Sequence, residues 1–248
     1  MTLDGCYQEI ARTAGHLASM GWAEANAGNI SILLPEGLDA MEGETVLQQL
    51  PRAVGGLRDR SMLVTVSGSR FRNARRAPRE AIVPVRISPD GESMELPVSS
   101  SAPTSELGTH LLVHELAVEK EMPTSALVHT HSTSMLALSS CELPSEMLEE
   151  AIRRAHPEIS ILLPGGVRLL EMMAPGSWEL GEATANLFRQ ADCVVWRKHG
   201  ILGFGGDVDA ACDAVEVVEK AARILLQEQA AFGRFFGLKD RELERLRD

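Results

Sequence analysis

The residues with the clearest chemical potential stand in ALVHTHSTSM (126–135), where His129 and His131 close a short apolar run. In an extended strand, residues i and i+2 point to the same face, about 6.6–6.8 Å apart. Two imidazoles so placed can converge on one ion, with Zn–N bonds of about 2.0–2.1 Å. The same spacing also describes two polar residues at the wet end of a strand. A catalytic zinc further requires a third protein ligand and an open position. His199 offers one ligand: in WRKHGILGFG (196–205) it follows an apolar strand and precedes Gly200, where a chain can turn sharply. Glu106, in APTSELGTHLLVHE (102–115), follows a cap-type serine in the first turn of a predicted helix. A glutamate that merely caps the helix and faces its dipole satisfies that position equally well. His110 and His114 are spaced i, i+4 on the same helix but lack the His-Glu-x-x-His order, so they read as helix-packing residues. His16 and His156 have no supporting context.

Three clusters of neutral donors accompany these groups. GWAEANAGNISI (21–32) is a helix stop followed by a turn containing Asn26, Gly28 and Asn29. VTVSGSRF (64–71) ends a strand in Ser67, Gly68 and Ser69. PTSE (103–106) puts hydroxyls, Ser105 among them, at a helix N-terminus, where unpaired N–H groups favour anions. Each alone is an ordinary turn; together they make a cradle for a phosphate. Charge makes such a cradle necessary for a phosphorylated ligand. With 24 Lys+Arg against 35 Asp+Glu, the formal charge is -11. A field of that sign disfavours nucleic acid as the main partner and repels a free phosphate, which neutral donors or a few placed cations must then hold.

The elements that must position these residues follow from periodicity. A helix over 5–20 ends at Gly21. Strands are predicted at 29–34, 61–66, 81–88 and 93–99, with Pro84 marking the third as an edge or bulged strand, and 35–60 reads as loop. A helix spans 104–119, with Thr104 or Ser105 near its cap. Strand 126–131 is followed by helices near 133–140 and 144–155 and strands near 159–163 and 167–171. Ser177 caps a helix to about Gln190. Strands at 193–197 and 201–204 precede a long helix from Asp207, with Ala211, Val215, Val218, Ala222 and Leu225 on one face. The order predicts a single α/β domain over residues 1–248, its sheet mixed and mainly antiparallel and covered by helices.

Composition agrees with a globular chain: 44% hydrophobic and 24% charged residues. Cys6, Cys141, Cys193 and Cys212 form no CxxC pair and read as buried thiols in a reducing compartment. No secretory leader and no apolar run near bilayer length is legible, so the expectation is a cytoplasmic protein without membrane contact.

Taken in order, GWAEANAGNIS, VSGSRFRN, PTSEL, VHTHST, LPGGV, PGSWELG and KHGILGFG cover nearly the whole chain. In these segments it resembles the class II aldolase/adducin family, zinc-dependent aldolases of sugar 1-phosphates. GWAE and SGSRFRN point to the branch acting on L-rhamnulose 1-phosphate, which yields dihydroxyacetone phosphate and L-lactaldehyde through a metal-stabilised enediolate. The resemblance implies that His129, His131 and His199 bind one Zn2+ per subunit and that Glu106 is the acid/base. It puts Asn26, Gly28, Asn29, Ser67, Gly68 and Ser105 on the phosphate, and aligns Glu158 with a glutamate acting from a neighbouring subunit. It also implies a homotetramer with sites at subunit interfaces. Ala27 departs from the glycine of the branch's Asn-Gly-Gly-Asn turn, and Tyr7, the single tyrosine, is no match for the mobile tyrosine of the fuculose 1-phosphate branch. Segment 141–158, expected to help read the aldehyde, matches weakly. The family also holds dehydratases, decarboxylases, 4-epimerases and non-catalytic adducin heads; the intact histidines and Glu106 argue against the last.

Overall fold

A computed structural model describes residues 2–246, so the expected domain of 1–248 is described over all but Met1, Arg247 and Asp248, which lie outside the described residues. Helix α1 (Leu3–Ser19) is capped by the Thr2 hydroxyl, which accepts the Gly5 N–H at 3.2 Å, and Gly21 follows its end at φ 75°. The first strands are β1 (Asn29–Leu33), β2 (Thr45–Gln49) and β3 (Ser61–Thr65). Two single-turn helices, α2 (Phe71–Ala74) and α3 (Pro78–Ala81), lead to β4 (Ile82–Ile87) and β5 (Ser93–Pro97). Then come α4 (Leu107–Glu119), β6 (Ser125–Thr130), α5 (Thr133–Ser139), α6 (Ser145–Ala155) and α7 (Pro157–Leu162). The chain continues through β7 (Val167–Leu170), α8 (Trp178–Phe188), β8 (Cys193–Trp196), β9 (Gly200–Gly205), α9 (Val208–Phe232) and α10 (Asp240–Glu244).

The nine strands form one sheet in the order β2-β5-β4-β3-β1-β6-β9-β8-β7. Only β7 and β8 run parallel; the other pairs are antiparallel, as expected of a mixed sheet. Helices cover both faces, so the central strands are buried on both sides. On β1, Ile30 and Ile32 join the core that includes Ile10, Ala14 and Leu17 of α1. Asn29 and Ser31 point the other way, toward α4. On β6 the same alternation sends Ala126 and Val128 to one core and Leu127 to another, with His129 on the Leu127 face. Each fully buried aliphatic side chain contributes about 1.5–3 kcal/mol relative to exposure, enough to fix this register. Helix α9 spans 25 residues, from a cap in which Asp207 accepts the Ala210 N–H at 2.8 Å to Gly233 at φ 70°. It buries the predicted Ala211, Val215, Val218, Ala222 and Leu225.

The structure corrects five expectations. Residues 159–163 are not a strand; 159–162 lie in α7, entered by Pro157 at its first position, and Leu163 caps its end, a short apolar run alone not separating the two states. The 35–60 loop contains β2, whose residues are all exposed, so it shows no hydrophobic alternation. Strand β4 is interior, yet Pro84 fits it: Pro84 stands opposite Leu63 of β3, and pairing to β5 covers only Arg86 and Ile87. Helix α4 begins at Leu107, with Glu106 at its cap position, instead of at Thr104. Of the four thiols, Cys141 is only partly buried. No helix among the described residues is long and apolar enough to cross a membrane.

Candidate functional site

The three histidines come together where β6 and β9 end. His129 is the last residue but one of β6, His131 the first beyond it, and His199 immediately precedes β9. One ring nitrogen from each lies within 4.8 Å of those of the others. Ring centroids stand 5.1–5.4 Å apart. Gly200 makes the approach feasible: a Cβ there would lie 2.5 Å from His129 Cε1 and 2.7 Å from the Thr130 carbonyl oxygen.

Hydrogen bonds fix which nitrogen faces inward. His129 Nδ1 lies 3.2 Å from the Ile201 carbonyl, which can only accept, so the proton sits on Nδ1 and the Nε2 lone pair is bare. His131 Nδ1 is 2.9 Å from a Glu24 carboxylate oxygen, with the same consequence. Burial, then the neighbouring His131, depresses the His129 pKa to about 3. Burial, then His129, lowers that of His199 to about 4 against the opposing pull of Glu106. His129 and His199 are therefore neutral, the state that ligates a metal. Trp196 braces both, with ring centroids 4.9 Å from His199 and 4.8 Å from His129, and its indole N–H donates to Thr184 at 2.8 Å.

Glu106 closes the group. It is 6% exposed, and its side chain makes no capping bond to α4. Its carboxylate oxygens lie 3.5 Å from His129 Nε2 and 3.4 Å from His199 Nε2. The capping alternative therefore does not describe this residue. Bare lone pairs and a carboxylate converging on one point repel one another unless a cation stands among them, so the donor set fits a divalent metal ion.

These residues floor a cavity of about 220 Å³ whose walls include Asn26, Gly28, Asn29, Ser67, Gly68 and Ser105. All six residues expected on the phosphate thus meet Glu106 and the histidines in one place. No Lys or Arg is among the lining residues. Asn26, Ser67, Gly68 and Ser105 are exposed at the rim, while Asn29, Glu106 and His129 are buried at the floor. Gly28 holds φ 83°, and a Cβ there would meet the His129 carbonyl oxygen at 2.9 Å. Glu158 is not brought to this cavity; it is exposed on α7.

Sequence reasoning missed Glu24, Trp196 and Arg197. Buried Arg197 stands two residues before His199 and donates to the carbonyls of Ser139, Cys141 and Leu143 and to Glu171. Only the adjacency of Trp196 and Arg197 to His199 marked them in the sequence.

Fold and cavity together are those of a class II aldolase. The sequence matches the Class II Aldolase and Adducin N-terminal domain family over residues 8–226. Rhamnulose-1-phosphate aldolase of Listeria monocytogenes serotype 4b (strain F2365) is 30% identical over 247 residues, covering 96% of this chain and 90% of that protein. The rhamnulose-1-phosphate aldolase of Enterococcus faecalis (strain ATCC 700802 / V583) is 32% identical over 249 residues, covering 96% and 88%. A solved sugar-phosphate aldolase from Thermotoga maritima superposes with TM-score 0.82 at 35% identity, over 93% of this chain and 97% of that one. An L-fuculose 1-phosphate aldolase shares the fold, with TM-score 0.69 at 22% identity over 99% of this chain and 96% of that one. The chain belongs to the class II aldolase and adducin family, and it is an enzyme of the aldehyde-lyase class.

Proposed function

We propose that this chain is a zinc-dependent aldolase that reversibly cleaves L-rhamnulose 1-phosphate to dihydroxyacetone phosphate and L-lactaldehyde. The observation that carries the reading is the single cavity in which a cation-free rim of donors meets a buried floor of three histidines and a glutamate. The relatives named for that substrate support the choice of sugar.

In this reading the exposed rim, Asn26, Ser67, Gly68 and Ser105, with half-buried Gly28 and buried Asn29 behind it, holds the phosphate through neutral donors. His129, His131 and His199 hold one zinc ion per chain. Zinc held there would supply Lewis acidity toward substrate oxygens, an effect on the order of several kcal/mol. A base takes the C4 hydroxyl proton as the C3–C4 bond breaks to release the aldehyde, and Glu106 delivers a proton to C3 in the cleavage direction and removes it in condensation. Its burial keeps bulk water from competing for that proton. Glu158, exposed on α7, acts in the same reading across a subunit boundary within a homotetramer.

The test is to incubate the purified protein with L-rhamnulose 1-phosphate and with L-fuculose 1-phosphate, following dihydroxyacetone phosphate through coupled NADH oxidation with and without EDTA. Chelator-sensitive release, faster from the rhamnulose ester, is expected. Release from neither ester refutes the reaction and points to the family's dehydratase or decarboxylase chemistry; faster release from the fuculose ester refutes the sugar. Glu106→Gln should keep zinc yet lose about 10²–10⁴-fold in turnover. His131→Ala should lose zinc and activity together; stoichiometric zinc by elemental analysis would show that the ligand set is wrong.

A further inference from the structure

Beneath Glu106 runs a line of buried polar groups that packing alone does not require. Asn29 Nδ2 donates to Glu106 Oε2 at 2.8 Å. Asn29 Oδ1 lies 2.5 Å from His110 Nε2, and His110 Nδ1 lies 2.6 Å from Ser31 Oγ. Ser31 Oγ lies 2.7 Å from His114 Nε2, and His114 Nδ1 lies 2.7 Å from Ser125 Oγ. All six residues are buried, none more than 6% exposed. They tie together three neighbouring elements: β1, α4 and β6.

The line has one internally consistent direction. A carboxylate only accepts, so Asn29 must present its NH2 to Glu106 and its carbonyl to His110. His110 then carries its proton on Nε2 and accepts the Ser31 hydroxyl at Nδ1. Ser31 in turn accepts from His114 Nε2, and His114 Nδ1 accepts the Ser125 hydroxyl. Every group donates toward Glu106, and aligned hydrogen bonds of this kind strengthen one another. Both imidazoles must be neutral for this order. Burial lowers the His110 pKa well below its ordinary value, and burial with nearby Arg60 brings that of His114 to about 3. An amide does not relay a proton, so the line orients the carboxylate rather than conducting to it. Leucine and alanine at these positions would fill the same space without unmet polar groups, and buried polar networks are costly when incomplete. Stability therefore gives no reason to place the network here, directly beneath the acid/base group.

We propose that Ser125, His114, Ser31, His110 and Asn29 form a one-way hydrogen-bond line that fixes the rotamer of Glu106 for proton transfer at C3, making His110 and Ser31 positioning residues of the reaction. The proposal rests on the acid/base reading of Glu106. Ser31→Ala deletes one oxygen, leaving His110 Nδ1 without a donor and His114 Nε2 without an acceptor. His110→Leu removes the donor that orients Asn29, and His110→Gln restores a donor near the same place. With L-rhamnulose 1-phosphate and zinc-loaded protein, Ser31→Ala and His110→Leu should lower kcat about 10- to 100-fold with KM within about twofold, and His110→Gln should regain most of the loss. Zinc content and Tm are measured for each variant. Unchanged kcat in folded, zinc-loaded Ser31→Ala overturns the proposal, as does a rise in KM at constant kcat, or His110→Gln being no better than His110→Leu. If His110→Leu does not fold, Ser31→Ala decides alone. Glu106→Gln separates the two levels. If it stays active, the acid/base reading fails; if it is inactive while Ser31→Ala keeps full kcat, only the positioning line fails.

Discussion

Gly200→Ala is the most exacting perturbation of the three-histidine group, because it adds one methyl where three groups already crowd. The new Cβ would stand 2.5 Å from His129 Cε1, 2.7 Å from the Thr130 carbonyl oxygen and 3.1 Å from His131 Cδ2. Ordinary contact begins at 3.4 Å, so the His129 ring must retreat by about 0.9 Å. Retreat is resisted by Trp196, 4.8 Å away centroid to centroid, and by the bond from Nδ1 to Ile201. The Thr130 oxygen is main chain paired into β6 and β9 and cannot swing aside. The backbone at Gly200 is not in the left-handed region, so the effect is steric alone. Overpacking of this kind costs about 1–3 kcal/mol, a fall in Tm of about 2–12 °C for a chain of this size. A displaced ligand should weaken zinc about 10- to 100-fold. Calorimetry on metal-free protein and competition against a chromophoric chelator measure the two effects separately. A variant within about 1 °C and twofold of the parent would refute the argument that Gly200 is held for its missing side chain.

Glu24→Gln removes the charge that orients His131, and zinc affinity should fall about tenfold by chelator competition while the fold is unaffected, since Glu24 is exposed. Gly28→Ala forces a side chain into φ 83° and against the His129 carbonyl; KM for the phosphorylated substrate should rise about tenfold or more in steady-state assays. His114 has a folded pKa of about 3, below its ordinary 6.5. The unfolded chain therefore takes up the proton first as pH falls. The associated stability is complete above pH 6.5 and is lost between pH 6.5 and about 3, at about 1.4 kcal/mol per pH unit. His110, His129 and His199, also lowered by burial, add to the slope in that range, so urea titrations should show His114→Gln reducing it by about 1.4 kcal/mol per pH unit without abolishing it.

Much of this site was legible because its chemistry is local in sequence. His129 and His131 share a strand face by simple alternation, and the glycine-bearing turns announce the cradle. Helices with clear caps, such as those begun by Ser177 and Asp207, start within a residue of where they were expected. What stayed hidden depends on contacts distant along the chain. His110 and His114 looked like packing residues because nothing in their spacing reveals that Ser31 and Ser125 stand opposite them. Glu106 looked like a cap because a helix start is where acidic residues ordinarily belong. Its inward turn is set by Asn29, 77 positions away. Strand β2 was invisible because an exposed edge buries nothing and leaves no pattern, and α7 because its apolar run is too short to show a period.

Arg197 carries a consequence for how such an enzyme can change. Within 139–145, three of its contacts are main-chain carbonyls, those of Ser139, Cys141 and Leu143. A grip on carbonyls is indifferent to which side chains the segment bears. The segment's course can thus be inherited while its lettering drifts, and the drift does not reach His199, anchored from the same short stretch. One guanidinium thus holds the course of the 139–143 segment through contacts that changes of its side chains leave in place.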